Sequence, residues 1–206
     1  MVGEGGRKPV TWEQRKDEEV SKKTITNPYR PVYPTPAALI TCVDGSGKPN
    51  IITLGEVAMV SLKPTRVSVG ARPATYSNGL IKASGEFVIN FPTVDIIDKV
   101  DFCGTRSGRN VDKFAETGLT PEPAIHVKPP LIKECPVNLE CKVIGVVSLG
   151  SHDLFIGDVL VMHAAEEILL DGNRGRVDPS NGVIFAMNEY WSFGERIETV
   201  GFSRRK

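Results

Sequence analysis

Residues 37–55 read AALITCVDGSGKPNIITLG, two apolar runs on either side of a stretch of turn-forming residues. The first run, residues 37–43, is short and apolar, which favours a strand. Residues 44–50 contain the glycine, proline, aspartate and asparagine that are typical of turns. Strand character resumes at residues 51–55. This stretch therefore predicts an antiparallel β-hairpin.

The strand pattern continues along the chain, with a few helices between the strands. Further strands are predicted at residues 57–62, 66–70, 86–91, 139–149, 154–168 and 183–187. Helices are predicted at residues 75–84, 94–102 and 110–116, the first ended by Gly85 and the third by Gly118. Many short strands with few inserted helices predict an all-β-dominated fold, an antiparallel β-barrel or sandwich. Strands and helices do not alternate regularly enough for a parallel doubly wound sheet.

The polar N-terminal stretch, residues 1–27, predicts an arm ahead of a single domain at residues 28–206. A short helix is predicted within the arm at residues 12–20. The arm is expected either to be mobile or to dock on a partner subunit. Three prolines within residues 31–36 then predict an extended lead-in to the first strand.

Composition excludes several classes of function. The chain has 25 basic and 25 acidic residues, and this zero net charge disfavours nucleic-acid binding. No apolar run approaches the length of a membrane span and the start lacks a secretory signal, so a cytoplasmic protein is expected. The cysteines form no C-x-x-C pair and no histidine lies at ligand spacing from another, so we predict free thiols and no metal site. Motifs for the usual dinucleotide and nucleoside triphosphate folds are absent from the sequence.

Two segments are candidates for binding an anion. Residues 70–78, GARPATYSN, join a predicted strand to a predicted helix, whose first turn offers free N–H groups to a phosphate. Arg72 adds a cation there, and Thr75 and Ser77 add hydroxyl groups. The alternative is that Thr75 or Ser77 only caps the helix. The second segment is the loop at residues 102–114, which is rich in glycines and cations and is either a ligand-binding loop or a solvated one.

Three further segments stand out in the sequence. Gly55 in residues 53–58 indicates either a bent strand or the close approach of a flat ligand. His152, between two long strands, is either a surface residue or a group that supplies a proton or a stacking surface to a ligand. The aromatic residues at positions 190, 191 and 193 predict core or interface filling, with a lid beside a ligand as the alternative.

The order of these segments resembles the flavin reductase-like family, whose fold is the FMN-binding split β-barrel, and within it the flavoredoxin branch. The resemblance is carried by Val32-Tyr33-Pro34-Thr35-Pro36, Gly47-Lys48-Pro49-Asn50 with Thr53, Ala74-Thr75-Tyr76, Ser107-Gly108-Arg109 through Asp112-Lys113-Phe114, Glu116-Thr117-Gly118-Leu119-Thr120, and Phe155-Ile156-Gly157-Asp158-Val159. These segments span about two thirds of the chain. The family fold agrees with the β-barrel that the strand pattern predicts.

The resemblance implies a homodimer that holds FMN non-covalently, and it assigns roles to particular residues. The flavin ring would be lined by Thr53, Leu54, Gly55 and Glu56, and the ribityl phosphate would be held by Ala71, Arg72, Thr75, Tyr76 and Ser77. Ser107 and Lys113 would complete the site. Cys103 would either lie near the flavin or pack in the core. His152 corresponds to a histidine associated with the nicotinamide, and is the candidate catalytic residue.

Three functions follow as alternatives. The first is an NAD(P)H-dependent flavin oxidoreductase that passes electrons from NADH or NADPH through FMN to free flavin, ferric complexes or a partner protein. The second is a flavoredoxin-like electron carrier that reacts poorly with NAD(P)H and exchanges electrons with a redox partner protein. The third is a module that binds another anionic heterocycle on the same barrel.

Overall fold

The computed structural model describes residues 21–170 and 176–205, so the helix predicted at residues 12–20 lies outside the described residues. The chain divides into two compact units, Met1–Pro31 and Val32–Lys206. Every described strand belongs to the second unit. Within the described residues, no helix combines the length and the apolar character that crossing a membrane requires.

The strands and helices fall close to their predicted positions. The strands are β1 Thr35–Pro36, β2 Ala38–Val43, β3 Pro49–Leu54, β4 Val57–Leu62, β5 Thr65–Ala71, β6 Glu86–Phe91, β7 Pro121–Glu122, β8 Leu131–Ile132, β9 Val137–Ser148, β10 Asp153–Ala164, β11 Val183–Ala186 and β12 Glu189–Ser192. The helices are α1 Tyr76–Ser84, α2 Ile97–Thr105 and α3 Lys113–Thr117, with 3-10 turns at Val94–Ile96, Glu166–Ile168 and Phe202–Arg205.

The central element is a seven-stranded antiparallel sheet in the order β3-β2-β6-β9-β10-β5-β4. Its two edge strands, β3 and β4, are consecutive in the chain and are joined only by Gly55 and Glu56. Because so short a link connects opposite edges, the sheet must curl until the edges approach each other. The backbone N–H of Gly70 donates to the carbonyl of Glu56 at 2.8 Å across this region. The predicted β-hairpin and the predicted barrel are both confirmed.

Two apolar clusters pack on the two faces of the sheet. Ile40 and Ile52 lie in the inner cluster with Phe87 and Phe155. Leu39 and Ile51 point the other way, into an outer cluster under α2 and α3. Both faces of β2 and β3 are therefore buried, which explains why residues 37–55 show apolar runs instead of an alternation of polar and apolar residues.

The structure differs from the predictions in several places, among them the short strands β7 and β8, which were not predicted, and the helix predicted at residues 110–116, which is α3 Lys113–Thr117. The strand predicted to reach residue 168 ends at Ala164, and a 3-10 turn follows it. The helix predicted at residues 94–102 begins as a 3-10 turn, and the α-helix reaches Thr105. Strand β12 was not predicted, because its pairing with β11 depends on a turn at Met187 and Asn188, which both adopt positive φ.

The aromatic residues at positions 190, 191 and 193 only partly fill the core. Tyr190 packs against the outer cluster, as expected for core filling. Trp191 and Phe193 are exposed, so the core-filling interpretation fails for these two side chains.

Candidate functional site

The strand-to-helix corner forms as the sequence predicts. Thr75 is the N-cap of α1 and accepts the N–H of Asn78, and its hydroxyl donates to the carbonyl of Arg72 at 2.8 Å. The capping role of Thr75 is thereby confirmed. The side chain of Arg72 is exposed at this corner. Anion binding by the corner remains a prediction.

A polar cavity of about 330 Å³ lies beside this corner, a size within the range of small-molecule sites. Three separate parts of the chain meet there: the hairpin between β2 and β3, the first turn of α1, and the loop before α3. The lining residues are Asp44, Lys48, Pro49, Asn50, Tyr76, Gly108, Arg109, Val111, Asp112 and Lys113. Two residues predicted from the sequence, Tyr76 and Lys113, are among them.

Lys113 is the most unusual residue of the cavity, since only 4% of it is exposed. Its ammonium donates to the carbonyls of Ile51 and Cys103, both at 2.7 Å. Burial lowers the pKa of Lys113. No carboxylate among the described residues pairs with it. Because an ammonium has three donors, these two carbonyls leave one donor of Lys113 unused.

The other two cations of the cavity, Lys48 and Arg109, differ in whether a carboxylate pairs with them. Lys48 forms an ion pair with Asp112 at 3.3 Å. The backbone N–H of Ala115 and the nearby Lys48 lower the pKa of Asp112, so this carboxylate is ionised. Arg109 donates to the carbonyl of Ala74 at 3.2 Å, and its guanidinium lies 5.4 Å from the centre of the Tyr76 ring. Arg109 and Lys113 therefore line the cavity without a carboxylate partner among the described residues, and their positive charge suits an anion.

One wall of the cavity needs a glycine. A β-carbon on Gly108 would collide with the side-chain amide of Asn50 and press on the ring of Tyr76. The amide of Asn50 also donates to the hydroxyl of Ser77 at 2.8 Å. Ser77 therefore does not line the cavity itself but is hydrogen-bonded to Asn50, which does. Ser107 accepts the N–H of Arg109 at the other side of the same loop.

Sequence reasoning gave no role to Lys48 or Asn50, and it named Arg109, with Arg106, only as a candidate cation for the 2′-phosphate of NADPH. Lys48, Asn50 and Arg109 belong to segments that carry the family resemblance, and this was the available signal. Their roles depend on which partner each one meets, and those partners are distant in the sequence. The structure supplies that information.

The residues predicted to line a flavin ring lie at the far end of β3. Thr53 donates its hydroxyl to the carbonyl of Val100 at 2.5 Å, and Leu54 is buried in the inner cluster. A β-carbon on Gly55 would lie 2.7 Å from the ring of Phe185, and the backbone of Glu56 pairs with Gly70. The side chains of Thr53 and Leu54 are thus engaged within the protein. Contact of these four positions with a ligand remains a prediction.

Cys103 is buried in the outer cluster below α2. Burial raises the pKa of its thiol to about 11, so the thiol is protonated at neutral pH. The four cysteines of the chain, all within the described residues, are free and buried. No group of side chains suited to hold a metal ion occurs in the part of the chain that the structure describes.

His152 lies half-buried at the tip between β9 and β10, with its Nδ1 2.9 Å from the hydroxyl of Ser151. The next residue, Asp153, pairs with Ala71, the residue before Arg72. The structure therefore brings the predicted catalytic histidine to the same end of the barrel as the strand-to-helix corner. A catalytic role for His152 remains a prediction.

Asp153 fixes this tip to helix α1. Its carboxylate accepts hydrogen bonds from Lys82 at 2.7 Å, Asn78 at 2.9 Å and Ser148 at 2.7 Å. The bond from Lys82 is the largest cause, followed by those from Ser148 and Asn78, and together they lower the pKa of Asp153 to about 2. Ala71, Arg72 and Thr75 lie close in the chain to Asn78, which donates to both Asp153 and the carbonyl of Ala71.

We expect Asp153→Asn to remove part of the acid sensitivity of the protein. The lowered pKa means that this carboxylate stabilises the fold fully above its ordinary pKa, near 3.8, and that this stabilisation is lost as pH falls towards about 2. The unfolding midpoint of the parent should therefore drop more steeply below pH 4 than that of the variant. Thermal unfolding followed at a series of pH values tests this, and parallel pH profiles would contradict it.

Comparison with known proteins agrees with this fold. A family profile described as "Flavin reductase like domain" matches residues 29–179. The solved structure of flavoredoxin from Desulfovibrio vulgaris (Miyazaki F) superposes with a TM-score of 0.80 and 33% identity, covering 90% of this chain and all of that one. An uncharacterized protein of Archaeoglobus fulgidus is 37% identical over 89% of this chain and 98% of its own length. The NADH:riboflavin 5'-phosphate oxidoreductase of Streptomyces pristinaespiralis is 28% identical over 60% of this chain and 67% of its own.

The curled antiparallel sheet with inserted helices is the split β-barrel of FMN-binding proteins. The chain belongs to the flavin reductase-like family. The predicted fold class and the predicted family are both confirmed.

Proposed function

We propose that the protein is an FMN-dependent oxidoreductase that takes electrons from NADH or NADPH and passes them to free flavin, ferric complexes or a partner protein. The observation that carries the proposal is Lys113, a lining residue of the polar cavity whose buried ammonium has no carboxylate partner among the described residues. A buried, uncompensated cation is costly, and an anionic cofactor would offset that cost. The Streptomyces relative, named for NADH and riboflavin 5'-phosphate, supports the choice of ligand.

The residues of the site fit a phosphorylated flavin. Lys113 and Arg109 would bind the phosphate, Arg72 would approach it from the corner, and Asn50 would hold the hydroxyl of Ser77 in place. The bound flavin would supply the hydride and electron transfer chemistry. The protein then has to position the two reactants and exclude water, which requires no general base.

A flavoredoxin-like electron carrier is the second candidate, favoured by the likeness to the Desulfovibrio flavoredoxin. The two functions differ in their reaction with nicotinamide. We expect the purified protein to be yellow and to be bleached rapidly by NADH or NADPH without oxygen. Steady turnover with added FMN, FAD or a ferric chelate should follow.

Each outcome of this experiment decides between the candidates. Slow bleaching by both nicotinamides, with rapid electron exchange with a redox protein, would favour the carrier. A preparation that stays colourless after incubation with FMN would contradict both and would favour a module for another anionic heterocycle.

We expect Arg72→Ala to weaken FMN binding by about 1–3 kcal/mol, the size of a charge-assisted hydrogen bond. Arg72 is exposed, so the fold should not change. Fluorescence titration of the apoprotein with FMN measures the effect. An unchanged affinity would place the phosphate away from the strand-to-helix corner and inside the cavity with Lys113.

We further propose that the protein is a homodimer, as the family resemblance implies. A dimer with two equivalent sites would use the same surface on both subunits. Sedimentation of the flavin-loaded protein tests the proposal, and a monomer that retains FMN would contradict it.

A further inference from the structure

A second cavity, of about 710 Å³, lies at the opposite end of the sheet from the polar cavity. It borders Pro36 and Ala37, just before β2, the first residues of β9 and the last residue of β6, whereas the polar cavity borders the hairpin that follows β2. Its lining is predominantly apolar and includes Phe91, Val137, Met162, Val177, Val183 and Phe193. We call it the apolar groove.

The C-terminal arm, residues 194–205, has apolar side chains that the described part of the chain leaves largely exposed. Ile197 is 96% exposed, Val200 is 107% exposed and Phe202 is 52% exposed. These exposures place neither Ile197 nor Val200 in the groove of its own chain. The backbone hydrogen bonds described for the arm, from Phe202 to Thr199 and from Arg204 to Gly201, stay within it. The arm leaves the barrel next to Phe193, which lines the groove.

The groove has an acidic rim, and the last residues of the arm are basic, although Glu195 and Glu198 lie earlier in the arm. Glu134, Glu167 and Asp178 line the groove, with Lys133 as the one opposing cation among its described lining residues. The chain ends in Ser203-Arg204-Arg205-Lys206. A basic chain end is therefore attracted to an acidic rim, while the apolar residues before it match the apolar lining.

We propose that the C-terminal arm of one subunit lies in the apolar groove of a second copy of this chain, and that the second arm does the same in return. This inference rests on the proposed homodimer. Such an exchange is isologous, which means that the same arm and the same groove are used on both subunits. Both grooves and both arms are therefore covered in one dimer. It would bury Ile197 and Val200, whose exposure to water is otherwise unfavourable.

Two variants test whether the arm forms the dimer contact. One control variant tests whether a different exposed apolar surface, on β4, forms it instead. Deletion of residues 195–206, and separately Ile197→Glu with Val200→Glu, should each raise the dissociation constant of the dimer at least about tenfold. Because both side chains are exposed, these changes should leave the monomer folded. The control is Met59→Glu with Leu62→Glu on edge strand β4, whose side chains are also exposed and apolar. It should leave the dimer unchanged in sedimentation equilibrium.

Mixing variants tests whether the contact crosses between subunits. Met162→Glu places a charge in the groove and leaves the arm intact. A chain without its arm and a chain with a blocked groove should each be weak dimers alone. Mixed, they should form heterodimers, because one arm and one groove remain compatible. A chain whose arm folds into its own groove would show no such recovery.

Several results would overturn the inference: an unchanged dimer after deletion of the arm, no heterodimer in the mixture, or dissociation by the β4 control alone. A parent that is monomeric with its arm present would also overturn it. Flavin content, measured in the same samples, separates the two proposals. Loss of the dimer on arm deletion in a protein that never binds FMN would count against the proposed function and support the arm exchange.

Discussion

Replacing Lys113 by methionine is expected to weaken flavin binding about 100-fold while the apoprotein stays at least as stable as the parent. The ammonium of Lys113 is buried, its pKa is lowered by burial, and carbonyl oxygens are its partners. Methionine has a similar length and no charge, so it removes the attraction for the phosphate and also the cost of a buried ion. Titration with FMN and urea unfolding of the apoprotein measure the two effects.

Lys48→Met is the matched control. Lys48 lines the same cavity, but its side chain is 62% exposed and paired with Asp112. Solvent screens this pair, so the control should change flavin affinity only slightly. Equal losses of flavin affinity in the two variants would mean that the affinity depends on the net charge of the cavity and not on the burial of Lys113. Parent-like affinity in Lys113→Met would remove the main support for the proposed site.

Replacing Glu140 by alanine is expected to lower the free energy of unfolding by about 3–5 kcal/mol, the usual loss when a buried charged network is broken. The side chain of Glu140 is fully buried. It accepts the backbone N–H groups of Ile125, His126 and Val127 at 2.8, 2.6 and 3.2 Å. Nε2 of His163 lies 2.7 Å from the same carboxylate. Alanine would leave three backbone donors without partners. Urea unfolding measures the change.

The control for Glu140 is Glu86→Ala, which removes a carboxylate that accepts one backbone N–H, from Lys128. Its loss should cost about 1 kcal/mol. Burial alone would raise the pKa of Glu140, but the hydrogen bonds from Ile125, His163 and His126 outweigh it and lower the pKa. The stabilisation is therefore complete above the ordinary pKa, 4.5, and is lost as pH falls through the lowered value. A loss in Glu140→Ala no larger than in Glu86→Ala would contradict this account.

Most of the fold could be predicted because its signals are local. Turn residues at positions 44–50 fixed the first hairpin, and Thr75 and Gly85 marked the ends of α1. The two-residue strands β7 and β8 were missed, and so was β12, which depends on a turn whose two residues take positive φ without a glycine. Such a turn leaves little signal in the sequence.

The candidate site was predicted only in part. Tyr76 and Lys113 came from the order of the motifs, and both line the polar cavity. Asn50 and Arg109 line it too, but their partners, Ser77 and Ala74, belong to other segments of the chain. A residue's role in such a site follows from its neighbours in space.

The sequence by itself determined most of the strands, the ends of α1 and the family, because turn chemistry, capping and motif order act over a few residues. The tertiary structure alone decided which charges are buried. Lys48 and Lys113 look alike in the sequence, and Glu140 looks like an ordinary residue of a long strand. Only the closing of the barrel under α2 and α3 takes Lys113 out of water, and only the loop at residues 125–127 surrounds Glu140 with donors. Burial is a property of long-range contacts, and desolvation gives these two residues their chemistry.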